Sequence, residues 1–166
     1  ILLGPGAVAM LDRIQDQSGI PYLGPTVVSD QLQHLPQLYA ANGDGAINTA
    51  HYNGACWLLR RALVEAVGWY DPQFYICYGD QDFVLRLTDT GLRYGVTGAV
   101  RCVHLDKCSR RFDHTVEQDT KVEIRDWERF AQKWGARPDV LLKHPRPNEM
   151  LYNVQKSSYW KDAVLT

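Results

Sequence analysis

The chain has 166 residues, 45% hydrophobic and 22% charged, with a formal net charge of -1. That length fits one domain with a buried core, and that balance is an ordinary soluble globular composition. A near-neutral chain gives no electrostatic reason to expect nucleic acid, and no run is long or apolar enough to span a bilayer.

No charged-then-apolar leader opens the sequence, and its four cysteines, Cys56, Cys77, Cys102 and Cys108, form no CxxC pair. Buried free thiols in a reducing compartment are expected rather than a zinc site, which points to the cytoplasm. Five tryptophans and nine tyrosines suit a core first, and stacking against sugar rings where they are exposed.

Ile1-Leu2-Leu3 reads as the end of a buried strand, and Gly4-Pro5-Gly6 breaks it and starts a helix. Ala7, Met10, Leu11 and Ile14 then recur at helical spacing as one apolar face. A start of this kind suggests a piece of something larger. Ile20 to Val28 is strand-like but carries Pro21 and Pro25, which predicts an edge or irregular strand. Residues 29–45 are polar and read as a surface loop. Ala46 to Leu59 is strand-like around Gly54, a position that suggests a bulge or close backbone approach.

Arg60 to Val67 predicts a short helix with Leu63, Val64 and Val67 inward, ended by Gly68, and Asp71-Pro72 marks a turn. A further helix is expected from Asp80 to Thr90, closed by Gly91, and an extended segment from Leu92 to His104. Lys107 to His114 reads as an exposed loop, with Arg110 and Arg111 placed either to meet an anion or simply to be solvated. Thr115 to Trp134 is the clearest helix, with Ile124, Trp127, Phe130, Ala131 and Trp134 at spacings of three and four, capped by Gly135. Pro138, Pro145 and Pro147 indicate an irregular tail, pinned by Tyr152, Tyr159 and Trp160. Strands alternating with helices predict α/β architecture, with a body over 1–135 and a tail over 136–166.

Chemistry concentrates between Gly68 and His104. Asp80 at a helix start is either a plain cap, worth about 1 kcal/mol, or a general base for an acceptor hydroxyl. Tyr75 and Tyr78 offer a stacking wall, and Gly79 leaves room for a ligand. The helix dipole should stabilise the Asp80 carboxylate and lower its basicity, so that burial by a bound ligand would have to compensate. Asp82, two residues on, points to another side of the helix and suits a supporting role, such as pairing with Arg86. His104 is a metal ligand, a phosphate contact or a structural residue, with Asp106 nearby as a second oxygen donor.

The order of these segments resembles a known family. A glycine-bearing strand (NGACWLLRR), a helix ending in GWYD, an Asp-x-Asp helix start (GDQDFVLRL), then TGLRYG and a strand to His are similar to the acceptor-side half of family-2 glycosyltransferases of the GT-A fold. PGAVAML, IPYLGPTVV and the KWG at Lys133 to Gly135 extend the resemblance. It implies a partial GT-A, Rossmann-like fold: a mixed sheet with flanking helices. It also implies inverting transfer of a sugar from a nucleotide-sugar donor to the hydroxyl of a glycan or polysaccharide acceptor, with Mn²⁺ or Mg²⁺.

By that resemblance Asp80 takes the catalytic-base position and His104 that of a histidine near metal and diphosphate. Trp57, Trp69, Tyr70 and Asp82 fall among the acceptor contacts. Gly79 stands where the family usually carries Glu or Asp, and the family's nucleotide-binding strands and metal-binding Asp-x-Asp are not in this sequence. The chain is therefore expected to act as part of a longer or split protein. Two other readings remain beside this one. One is a glycan-binding module that keeps the aromatic wall without the base, and the other a phosphohydrolase built on Asp80, Asp82 and His104, which wants a fuller ligand set.

Overall fold

The structure is a computed structural model and describes residues 1–29, 46–49, 54–75, 77–104 and 116–143. Among these, five strands form one sheet: β1 (Leu2–Leu3), β2 (Tyr22–Ser29), β3 (Ile47–Asn48), β4 (Leu58–Leu59) and β5 (Tyr94–His104). β5 is central. It runs parallel to β2 on one side, and on the other it pairs antiparallel with β3 at Val96 and Thr97 and with β1 at Cys102 and Val103. β4 adds antiparallel to the start of β2, at Tyr22 and Leu23. Parallel neighbours need a long crossover, and the chain between β2 and β5 supplies one. The architecture is α/β, a mixed sheet with helices, and fits part of a Rossmann-like fold.

Five helices accompany the strands among the described residues: α1 (Ala7–Ser18), α2 (Arg61–Val67), α3 (Gly79–Asp89), α4 (Val116–Trp134) and α5 (Pro138–Lys143). None is long and apolar enough to cross a membrane. The chain divides into two compact units, Ile1–Trp69 with Phe83–Cys108, and Tyr70–Asp82 with Ser109–Thr166. The sheet lies in the first unit, and α4 and α5 in the second.

The core of the first unit joins Ala7, Leu11, Ile20, Leu23 and Val100, with Ile14, Ile47 and Leu58 packed against it. Each fully buried Leu, Ile or Val contributes about 1.5–3 kcal/mol. Met10 is 40% exposed, however, and the fourth position on the inward face of α1 belongs to Gln15. Its Nε2 donates to the carbonyls of Pro21 (3.1 Å) and Leu58 (2.8 Å), so that the amide ties α1 to the starts of β2 and β4. Apolar periodicity passes over such a residue because it is polar.

Other expectations are corrected. Leu2 and Leu3 form an exposed strand at the sheet margin, not a buried one. β2 is irregular as predicted, with a register shift between Pro25 and Thr26, but its first residues lie between β4 and β5 rather than at an edge. Gly54 is in a bend outside any strand. The close backbone approach occurs instead at Gly95 on β5, where a Cβ would come within 2.7 Å of Ile47 Cγ2 and 3.2 Å of the Asn48 carbonyl oxygen. Pro138 opens α5 rather than a tail, since proline's missing N–H is no loss in a first helical turn.

Cys56, Cys77 and Cys102 are free thiols, as expected. Burial, and then the neighbouring Cys56, push Cys102 up to about 12, so it stays protonated. The readings placed on residues 30–45, Asp106, Cys108, Arg110, Arg111, Pro145, Pro147, Tyr152, Tyr159 and Trp160 lie outside the described residues.

Candidate functional site

In the second unit the approach to α3 is held from α4. Asp71 begins an Asx turn, its Oδ1 accepting from the Gln73 N–H (3.0 Å) and its carbonyl from Phe74 (3.1 Å), as the Asp-Pro pair predicts. Further along, Oδ2 of Asp126 accepts the N–H groups of both Tyr75 (3.0 Å) and Cys77 (3.1 Å). Asp126 is fully buried, and bonds from two amides to one carboxylate are of the stronger, charge-assisted kind. Lys133 bridges Asp71 Oδ2 (2.7 Å) and Asp82 Oδ1 (2.8 Å), and Trp134 Nε1 donates to the same Asp82 oxygen (3.0 Å). The inward stripe of α4 is thus Asp126, Phe130 and Trp134, spaced by four, while Ile124 and Trp127 are half-buried. Sequence reasoning missed Asp126 because a carboxylate does not register in an apolar pattern. Its spacing from Phe130 and Trp134 was the available signal.

This scaffold imposes an unusual start on α3. Tyr78 has φ +63°, the left-handed region, and its carbonyl accepts the first helical bond from the Asp82 N–H (2.9 Å). A helix normally begins from an extended Ser, Thr, Asp or Asn, and the left-handed conformation costs a residue with Cβ roughly 1–2 kcal/mol. The Tyr78 ring packs on Phe130, with centroids 5.3 Å apart. Burial, then the charge of Glu123, then Cys77 keep its hydroxyl protonated well above the ordinary tyrosine range. Gly79 is not open space: a Cβ there would rest 3.5 Å from both Phe74 Cβ and Tyr70 Cδ1.

Asp80 follows, partly buried, with Oδ1 accepting from the N–H of Gln81 (3.0 Å). Burial raises its carboxyl above the ordinary aspartate value, against backbone hydrogen bonds that favour the charge. Desolvation here comes from the protein itself and outweighs those hydrogen bonds. Beside it, Gln81 Oε1 is buried and has no hydrogen-bond partner among the described residues. A buried acceptor without a donor costs about 1–3 kcal/mol. Gln81 carried no signal in the sequence.

In the second unit Tyr70 therefore lies against Gly79, the residue before Asp80. Asp82 is wholly buried and engaged by Lys133 and Trp134, while Arg86, the partner expected for it, donates to the Val67 and Trp69 carbonyls. In the first unit Trp57 stacks on Tyr22 (5.5 Å, 24°) and on Phe83 (6.3 Å, 11°), and Trp69 meets it edge-on at 6.4 Å. Trp57 is half-buried and Trp69 is 61% exposed. His104 ends β5 beside Ser29, at the far end of β2 from Tyr22. Seven residues of strand separate it from the Trp57 cluster, on the order of 20 Å. Among the described residues no three His, Cys, Asp or Glu side chains converge as a metal site, so those residues do not complete one around His104.

No protein-family model matches the chain, and no solved structure does. Over 72 residues it is 38% identical to the O-antigen biosynthesis protein RfbC of Myxococcus xanthus. The match covers 43% of this chain and 6% of that protein's length.

Proposed function

We propose that this chain works in glycan biosynthesis, as the acceptor and catalytic-base part of an inverting, nucleotide-sugar-dependent glycosyltransferase of the GT-A type. The observation that carries the reading is Asp80: a carboxylate at a helix start whose affinity for a proton is raised by burial. A general base must hold the proton that it takes, and an aspartate left in water at a helix N-terminus is too weak for that. The partial identity to an O-antigen biosynthesis protein supports the sugar chemistry.

In this reading Asp80 takes the proton of an acceptor hydroxyl as its oxygen attacks the donor's anomeric carbon. The bond to the nucleoside diphosphate breaks with its electrons, and configuration inverts. Gln81 Oε1 accepts a second hydroxyl of the same sugar and orients it. Asp82 acts from behind, fixing the helix start through Lys133 and Trp134. Trp57 and Trp69 of the first unit and Tyr70 of the second are assigned to acceptor contacts. His104 is assigned to the diphosphate end, where Mn²⁺ or Mg²⁺ with ligands from elsewhere in the protein would neutralise the leaving group.

The test is release of nucleoside diphosphate from a panel of nucleotide sugars by the full-length protein that carries this chain. Asp80→Asn should lower turnover by about 10²–10⁴-fold, the usual contribution of a general base, with the circular dichroism spectrum unchanged. Undiminished turnover would sink the assignment of the base. Saccharide binding with no turnover in the unaltered protein would favour the glycan-binding module, which keeps the aromatic residues alone.

A further inference from the structure

Trp69 combines two properties seldom found together, exposure and fixation. Its side chain is 61% exposed, yet the guanidinium of Arg86 on α3 holds the backbone on both sides of the intervening glycine. Nη1 donates to the Val67 carbonyl (2.6 Å) and Nη2 to the Trp69 carbonyl (2.8 Å), while the same guanidinium lies 5.2 Å above the Phe83 ring. Both carbonyls can reach one fork because Gly68 between them adopts φ +83°, which L side chains rarely do. Phe83 stacks on Trp57, and Trp57 braces the Trp69 ring edge-on. An exposed tryptophan whose carbonyl and ring edge are both held loses little freedom when a flat ligand settles on it. An apolar indole face with an N–H at its rim matches the C–H face and hydroxyl rim of a pyranose ring.

We infer that Arg86 is a positioning residue for a saccharide-stacking platform formed by Trp69. It touches no ligand itself and acts through the backbone of residues 67 and 69. This deepens the acceptor side of the proposed function and rests on the acceptor being a sugar. It does not depend on catalysis. Arginine is required rather than lysine, because only a planar fork can serve two carbonyls at once.

The experiment follows the five indole N–H signals of the protein by ¹H–¹⁵N NMR, with Trp69 assigned by Trp69→Phe. In the unaltered protein the Trp69 indole should relax like rigid backbone, with an order parameter near ~0.85. A value under ~0.6 would overturn the inference before any variant is made. Titration with maltotriose, cellotriose and mannotriose to tens of millimolar should shift the Trp69 signal. If no trisaccharide moves it, or trisaccharides move only the other indoles, Trp69 is not a saccharide platform. Arg86→Lys should weaken trisaccharide binding about three- to tenfold, the cost of ordering one side chain at an interface. Adding Arg86→Lys to Trp69→Ala should weaken binding no further. Additive losses would mean that Arg86 supports the fold in general and would overturn the positioning role. Trisaccharide binding through Trp69 without any Asp80-dependent turnover would keep this inference and remove the transferase reading.

Discussion

At the level of single residues, Asp80 gives the most direct link between burial and pH. Its folded-state proton affinity is raised by desolvation, so the folded protein keeps this proton to higher pH than the unfolded chain does. Stability from this group therefore falls as pH rises from the ordinary aspartate value through the raised one, and then levels off. Asp80→Asn removes that penalty. Its melting temperature should exceed that of the unaltered protein near pH 7, and the gain should vanish below the ordinary value of about 3.9. A gain that persists in acid would mean that burial of the charge is not its origin. Asp126 matters for its hydrogen bonds, because its carboxylate satisfies two buried amides. Asp126→Ala leaves both without a partner and should cost roughly 2–5 kcal/mol in urea denaturation. Asp126→Asn keeps one acceptor oxygen and should cost less.

Among the elements, β5 and α4 decide what the local sequence can tolerate. β5 meets strands on both sides, and at Gly95 it passes so close to β3 that a methyl group would strike Ile47. Gly95→Ala should destabilise by about 1–3 kcal/mol through overpacking, read from the urea midpoint at constant slope. On α4, Lys133 is opposed by burial but held charged by Asp71 and Asp82, and the net effect raises its ammonium above the ordinary lysine value. That contribution is complete below the unfolded value and is lost as pH climbs through the folded one. Lys133→Met should therefore flatten the alkaline limb of the stability profile and lower stability at neutral pH. An unchanged alkaline limb would show that the bridge to Asp71 and Asp82 does not form in solution. If the bridge helps to hold the turn before Asp80, this variant should also lower turnover in the full-length protein.

For the whole molecule, the separation along β2 is the governing distance. Trp57 sits by Tyr22 at one end and His104 by Ser29 at the other, on the order of 20 Å apart. A site using both must take an extended ligand, and a nucleotide sugar meeting an oligosaccharide is one. If His104 serves the diphosphate end, His104→Ala in the full-length protein should raise the Mn²⁺ concentration needed for half-maximal turnover and leave trisaccharide binding at Trp69 unaltered. Equal loss of both would place His104 in the fold rather than at the donor.

Periodicity and punctuation alone determined the helix bounds at Val67 and Trp134 and the α/β class, because short-range spacing decides which side of a helix is apolar and where glycine must stop it. The doublet Asp80 and Asp82 at a helix start, and the aromatic residues around it, were legible for the same reason. Only the tertiary structure decided that burial raises the proton affinity of Asp80, since desolvation depends on neighbours far away in sequence. It alone revealed the partners of Gln15, Asp126 and Arg86, three polar side chains bonded to backbone groups from 6 to 51 positions distant. A backbone carbonyl or amide is the same at every position, so the sequence carries no mark of which side chain it will meet.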